Sequence, residues 1–202
     1  MLSRPQQSCG VLRKSSRWIF NHSSLIAAEQ RGIYIPARNK MNTKRLDAIS
    51  KEDWYMTTAL LAAQRSKVPN TQVGACIVNP LGIIVATGYN GLPRGCSDDE
   101  FPWSREAENP LDTKYLYVVH AETNAILNKN IASLDECKLY GTLFPCNECT
   151  KLIVQAGIEE VIYFSDKYRD SKECIASRRM LDAAKVNYRP YRGTVKGIKL
   201  DF

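Results

Sequence analysis

The sequence predicts a three-layer α/β/α fold built around a mixed sheet of about five strands. Two β-rich runs near residues 73–89, joined by a short turn, predict an antiparallel hairpin. From residue 138 onward strand and helix patterns alternate, which implies right-handed crossovers and parallel strands. Five strands is also an ordinary sheet size.

The folded domain is expected over residues 50–192, between a leader (1–49) without packed structure and a short tail (193–202). Ser50-Lys51-Glu52-Asp53 matches a capping box ahead of Trp54, Met56, Leu60, Leu61 and Ala63, spaced for one helical face. Pro69 and Asn70 stop that helix. Val73 to Asn79 reads as a strand, Asn79-Pro80-Leu81-Gly82 as a turn, and Ile83 to Tyr89 as the second strand. Residues 91–118 are polar, carry Pro and Gly and show no periodicity; a loop of that length inside a compact domain is usually functional. A helix then runs from Ala121 to about Lys129, and a strand from Lys138 to Phe144. Pro145 is expected in the first turn of the next helix. Val161 to Phe164 is a strand, Lys172 to Ala184 a helix and Val186 to Tyr191 the last strand. There is no internal repeat.

The net charge of +7 is unevenly placed. Residues 1–45 hold nine of the 28 Lys/Arg and one of the 21 acids, Glu29, so the rest carries 19 basic and 20 acidic residues. The body is near neutral, which argues against the basic stripe that polynucleotide binding wants and favours small, charged substrates. The leader is Arg- and Ser-rich and acid-poor. It fits either a mitochondrial transit peptide or an unstructured stretch that initiation at Met41 would skip. Seven cysteines without a signal-peptide pattern imply a reducing, intracellular compartment. No apolar run approaches a membrane span.

The chemistry is carried by His120-Ala121-Glu122 and Pro145-Cys146-Asn147-Glu148-Cys149, which read as H-x-E followed by P-C-x-x-C. This pair is the signature of zinc deaminases. His120, Cys146 and Cys149 offer nitrogen and two sulfurs to a tetrahedral zinc and leave one corner open, as a catalytic site requires. Two thiolates and a neutral imidazole cancel the ion's charge, so the site can be buried. Glu122 then stands as the proton carrier. Cys146 and Cys149, three apart at a helix start, face the same way, and the helix N-terminus favours their thiolates. A closed structural site, completed by Cys76, Cys96 or Cys137, is the competing arrangement, but it gives no reason for the glutamate or the proline. The other histidine, His22, lies in the leader.

The chain resembles the cytidine/deoxycytidylate deaminase superfamily, in its deoxycytidylate branch. The resemblance runs through AQRSKVPNTQVGACIVN (63–79), GYNGLPRGCSDD (88–99), ENPLDTKYLYVVHAETNAILN (108–128) and LFPCNECTKLIVQAGIEEVIYFSDKY (143–168). It implies a zinc-dependent, cytidine-deaminase-like enzyme that hydrolyses dCMP to dUMP and ammonia, with Glu122 moving protons. By resemblance, the backbone of Ala121 and Ala75 bonds the pyrimidine carbonyl, Asn90 holds sugar or base, and Tyr168 lines the nucleotide pocket. The resemblance also implies a homohexamer in the cytoplasm, activated by dCTP and inhibited by dTTP. Its regulatory site would use Gly88, Tyr89, Asn90, Gly91 and Arg94, with Mg2+ accompanying the nucleotide. Arg65, Lys67, Arg94, Arg105 and Lys114 all stand as phosphate ligands at this level. Two alternatives share the motif pair: a tRNA or polynucleotide deaminase, and an inactive zinc-stabilised binding module.

Overall fold

The computed structural model describes residues 44–196, and all its elements belong to the unit that begins at Asp47. The leader up to residue 43, with either reading of it, and the last six residues of the tail lie outside the described residues. In chain order the elements are α1 (Lys51–Ala63), β1 (Gly74–Val78), β2 (Ile84–Tyr89), α2 (Ala121–Leu127), β3 (Lys138–Leu143), α3 (Asn147–Gln155), β4 (Glu160–Ser165), α4 (Lys172–Ala183) and β5 (Asn187–Pro190). Two single 3-10 turns, Pro110–Asp112 and Lys114–Leu116, lie in the long loop.

The strands form one mixed sheet in the order β2-β1-β3-β4-β5. β1 pairs antiparallel with β2 and with β3, while β3–β4 and β4–β5 are parallel. The hairpin turn is held by the Asn79 side chain, whose Oδ1 accepts from Leu81 N and Ile83 N (3.1 and 2.9 Å), and by Gly82 at φ 78°. Alternation along the strands divides the core. Ala75, Ile77, Leu139 and Val161 point to one face and pack with Ala121 and Ala125 of α2, Ile153 of α3 and Leu181 of α4. Cys76, Val78, Tyr140 and Ile162 point to the other and pack with Tyr55, Met56 and Ala59 of α1. Helices on both faces give the three layers expected, and β1, covered on both sides, is buried throughout.

Two glycines set how near the helices come. A Cβ on Gly74 would lie 2.0 Å from the Ala59 carbonyl oxygen, and one on Gly88 would lie 2.2 Å from the Ala121 oxygen and 2.4 Å from the Ala125 nitrogen. α1 and α2 therefore rest backbone-to-backbone on opposite faces of the hairpin. This corrects the expected stripe of α1. Its buried residues are Asp53, Tyr55, Met56, Ala59 and Ala63, whereas Trp54 and Leu61 are 45% and 48% exposed. Close approach selects alanines, and it turns the helix away from the phase that the large apolar residues suggest.

Asp53 is buried because it has a task. Its carboxylate accepts from the Tyr191 hydroxyl, the Thr194 hydroxyl (2.9 Å) and the Thr194 amide (3.0 Å), which ties the chain after β5 to α1. Pro145 differs from expectation too. Phe144 N still donates to Ser165 O (2.8 Å), so pairing with β4 runs to Phe144. Pro145, without an N–H, ends it, and α3 starts only at Asn147 with Cys146 as its N-cap.

Gly88→Ala should cost about 1–3 kcal/mol through overpacking, seen as a lower urea midpoint at unchanged slope. The Tyr191 hydroxyl holds the Asp53 carboxyl down at about 2, against about 3.9 in an unfolded chain. Its stabilisation is thus present above about pH 4 and lost as pH falls toward 2. Tyr191→Phe should lower the melting temperature at neutral pH, and the gap to the parent protein should close across that acid window.

Candidate active site

The site forms where two chain segments leave the sheet. Beyond β2, Gly91 pairs with Val119: Gly91 N donates to Val119 O (3.1 Å) and Val119 N to Gly91 O (2.8 Å). This pins the residue before His120, which is the N-cap of α2, with Glu122 in the first turn. Asn124 Nδ2 donates to Tyr89 O (2.7 Å) and locks the same helix to the end of β2. Beyond β3, Cys146 caps α3 and Cys149 lies in its first turn. Two helix starts therefore face each other at the strand ends, where open α/β sheets place ligands.

His120 Nδ1 lies 3.4 Å from Cys146 Sγ and 3.3 Å from Cys149 Sγ, and the three donor atoms all lie within 4.8 Å of one another. An ion bonded tetrahedrally at about 2.3 Å to sulfur and about 2.0 Å to nitrogen sets those ligands roughly 3.5 Å apart. The spacing is that of a zinc site, and these three residues could hold the ion. Among the described residues no fourth histidine, cysteine or carboxylate joins the group, which fits the open arrangement rather than the closed one.

The electrostatics tie these groups together, and Cys146 is the one held ready as a thiolate. The Cys149 thiol, donating to Cys146, holds the Cys146 sulfur down at about 4, while that same hydrogen bond and burial push Cys149 up, so that it keeps its proton until a metal displaces it. The Cys146 contact raises His120. Burial pushes the Glu122 carboxyl up, with the neighbouring His120 opposing. Glu122 is 4% exposed and its Oε2 accepts from Cys149 Sγ (3.5 Å). A carboxyl so placed gives and takes a proton nearer neutral pH than a solvated one does.

His120, Glu122 and Cys146 line a cavity of about 340 Å3, with Cys149 buried behind them. Asn90, Ala121 and Tyr168 also line it. Asn90 uses its amide structurally: Oδ1 accepts from Val73 N (2.8 Å) and Nδ2 donates to Thr71 O (2.9 Å), which shapes the wall that Thr71 and Val73 form. Ala75 is not brought to the cavity. It lies fully buried in mid-sheet, in register with Gly88 and Gly141.

Ser171, Glu173 and Cys174 line the cavity and escaped the sequence reading. Ser171 is the N-cap of α4, past the carboxyl end of parallel strand β4; that position was the available signal. Phe144 was missed as well. It presents one ring face to Arg178, whose guanidinium carbon is 4.3 Å from the ring centroid.

The basic candidates separate. Arg105 and Lys114 line this cavity, whereas Arg65, Lys67 and Arg94 line a second one of about 260 Å3 with Tyr89 and Gly91. Of the predicted regulatory set, Tyr89, Gly91 and Arg94 reach the second cavity. Asn90 belongs to the first, and Gly88 is occupied beneath α2.

Residues 49–165 match the family model described as the cytidine and deoxycytidylate deaminase zinc-binding region. Deoxycytidylate deaminases of Homo sapiens and Mus musculus are each 56% identical over 159 residues, covering 79% of this chain and 89% of theirs. The crystal structure of dCMP deaminase from the cyanophage S-TIM5 in complex with dCMP and dUMP superposes with a TM-score of 0.55 at 31% identity, over 69% of this chain and 95% of that one.

Cys146→Ala should lose stoichiometric zinc and lower the melting temperature, because metal binding is coupled to folding. Glu122→Gln should keep both. Metal analysis of the purified variants and thermal melts distinguish the two roles.

Proposed function

The chain belongs to the cytidine and deoxycytidylate deaminase family, and we propose that it hydrolyses dCMP to dUMP and ammonia. The observation that carries this is the meeting of His120, Cys146, Cys149 and buried Glu122 beside a cavity large enough for one nucleotide. His120, Cys146 and Cys149 would hold the zinc. When bound, zinc supplies the Lewis acidity that makes water a nucleophile near neutral pH.

The chain's own groups do the rest. Glu122 accepts a proton from the water that attacks C4 of cytosine and passes it to ring N3. It then takes the hydroxyl proton of the C4 adduct and delivers it to the amino group, which leaves as ammonia while C4 becomes a carbonyl. Its burial excludes bulk water from these transfers and suits a carboxyl that must hold a proton between steps. The Ala121 backbone, at the cavity wall and the start of α2, is the group we assign to the pyrimidine carbonyl. Asn90 fixes the wall formed by Thr71 and Val73, and Tyr168, on the loop after β4 and also on the cavity lining, is the residue we assign to the sugar.

We extend the proposal to control by dCTP and dTTP at the second cavity. Its support is the cluster of Arg65, Lys67 and Arg94 beside Tyr89 and Gly91. Lys67 is paired with Asp98 on the same lining, which leaves a net positive setting for a triphosphate, with Mg2+ as its counter-ion. The active form is taken as a homohexamer by resemblance. A cytoplasmic location agrees with the free cysteines among the described residues, and for the long form we propose a mitochondrial leader on its Arg- and Ser-rich, acid-poor composition. None of the described helices is long and apolar enough to cross a membrane.

The test is turnover of subsaturating dCMP with dCTP and dTTP added separately. Activation by the first and inhibition by the second are expected. Glu122→Gln should lower kcat by at least about 10²-fold. Faster deamination of a single-stranded oligonucleotide than of dCMP would contradict the substrate assignment.

A further inference from the structure

We propose that Lys114, with Arg105 beside it, takes the 5′-phosphate of the substrate and so sets the preference for a nucleotide over a nucleoside. The inference rests on the dCMP reading above and adds to it the residues that read the phosphate.

Lys114 is 7% exposed, yet it lines the cavity. Among the described residues no carboxylate forms an ion pair with it, although eight such contacts occur elsewhere in the fold. Its ammonium has only the ring of Tyr115, 5.9 Å from the centroid. A buried cation without an acid partner is costly to keep, and burial accordingly pulls its pKa down.

The surroundings make the cost larger. Lys114 N donates to Ser104 O (3.0 Å), which folds residues 104–105 against the 3-10 turn Lys114–Leu116. Arg105 comes close enough to disfavour the Lys114 charge, and its Nε is held by the Tyr115 hydroxyl (3.1 Å). Two cations thus line one cavity, and among the described residues neither forms an ion pair, although Glu106 lies within electrostatic reach of Arg105 and Glu173 lines the same cavity. Tyr168, the residue expected on the nucleotide pocket, lies within electrostatic reach of both.

An arriving dianion offsets the repulsion and the desolvation at once, through charge-assisted hydrogen bonds. The remaining always-charged candidates, Arg65, Lys67 and Arg94, face the second cavity. Lys114 and Arg105 are therefore the two such cations lining the cavity that holds Glu122.

The test compares zinc-loaded parent, Lys114→Met, Lys114→Arg and Arg105→Gln proteins. Zinc content, melting temperature without nucleotide, and affinity for dUMP and for 2′-deoxyuridine are measured, together with kcat/KM on dCMP. Lys114→Met should retain zinc and melt at the same temperature or higher, since an uncompensated buried charge is gone. Its affinity for dUMP should fall about 10- to 100-fold, with affinity for deoxyuridine unchanged. Its kcat/KM on dCMP should fall by a similar factor, Lys114→Arg should recover part of it, and Arg105→Gln should show a smaller loss of the same kind.

Unchanged dUMP affinity in Lys114→Met, or equal weakening of dUMP and deoxyuridine, would overturn the assignment. So would a collapse of that variant with loss of zinc, which would mark Lys114 as a structural cation. A parent protein that neither binds dUMP nor turns over dCMP would instead sink the dCMP reading on which the proposal rests.

Discussion

The arrangement depends on how closely two helices lie on the β1–β2 hairpin. At Gly88 there is no room for a methyl group between the strand and the Ala121 carbonyl, and at Gly74 none beneath Ala59. Contact at that range leaves little freedom to slide or tilt, because close-packed interiors resist displacement. On the site face this fixes α2, and with it His120 and Glu122, relative to the sheet. The Gly91–Val119 bridge and the Asn124–Tyr89 bond hold the entry to the same helix. The cysteine half is fixed separately, by parallel pairing of β3 with β4 that continues to Phe144 before Pro145 ends it. Two independently anchored helix starts then present their ligands to one point. Such preorganisation spares the reaction the work of assembling its own site.

The cavity is electrostatically divided. It is lined by a buried carboxyl, Glu122, and by the Cys146 sulfur of the metal-ligand cluster, which suits a dication; it is lined too by Arg105 and Lys114, which suit an anion. The body of the protein is near neutral, so these charges act locally and not as a long-range field. The same division separates the two cavities. Both flank the segment Tyr89-Asn90-Gly91, with Asn90 turned to the first and Tyr89 and Gly91 to the second. Gly91 is also the residue bridged to Val119, next to His120.

Much of this was legible in the sequence because it is encoded by short-range spacing. The hairpin, each strand and helix of the parallel half, and the H-x-E and P-C-x-x-C motifs are each written in a short stretch of chain, and strand boundaries agree with expectation to within one residue. What was not legible depends on through-space approach. Nothing in the 51–63 segment says that Ala59 must meet a glycine eleven residues past the helix, so the larger residues Trp54 and Leu61 misled the choice of buried face. Asp53 read as a capping residue, and its bonds to Tyr191 and Thr194 span nearly the whole domain. Ala75 looked adjacent to the site in sequence, but the ladder on both its sides places it in mid-sheet. Among five scattered basic residues, only folding could sort Lys114 and Arg105 from Arg65, Lys67 and Arg94.

The central claim is that these two helix starts build an open three-ligand zinc site. X-ray absorption spectroscopy at the zinc edge of the purified protein tests it most directly. The account predicts two sulfur scatterers at about 2.3 Å and two lighter nitrogen or oxygen scatterers at about 2.0–2.1 Å, one from His120 and one from solvent. Three or four sulfur scatterers would mean that another cysteine closes the site, and would contradict it.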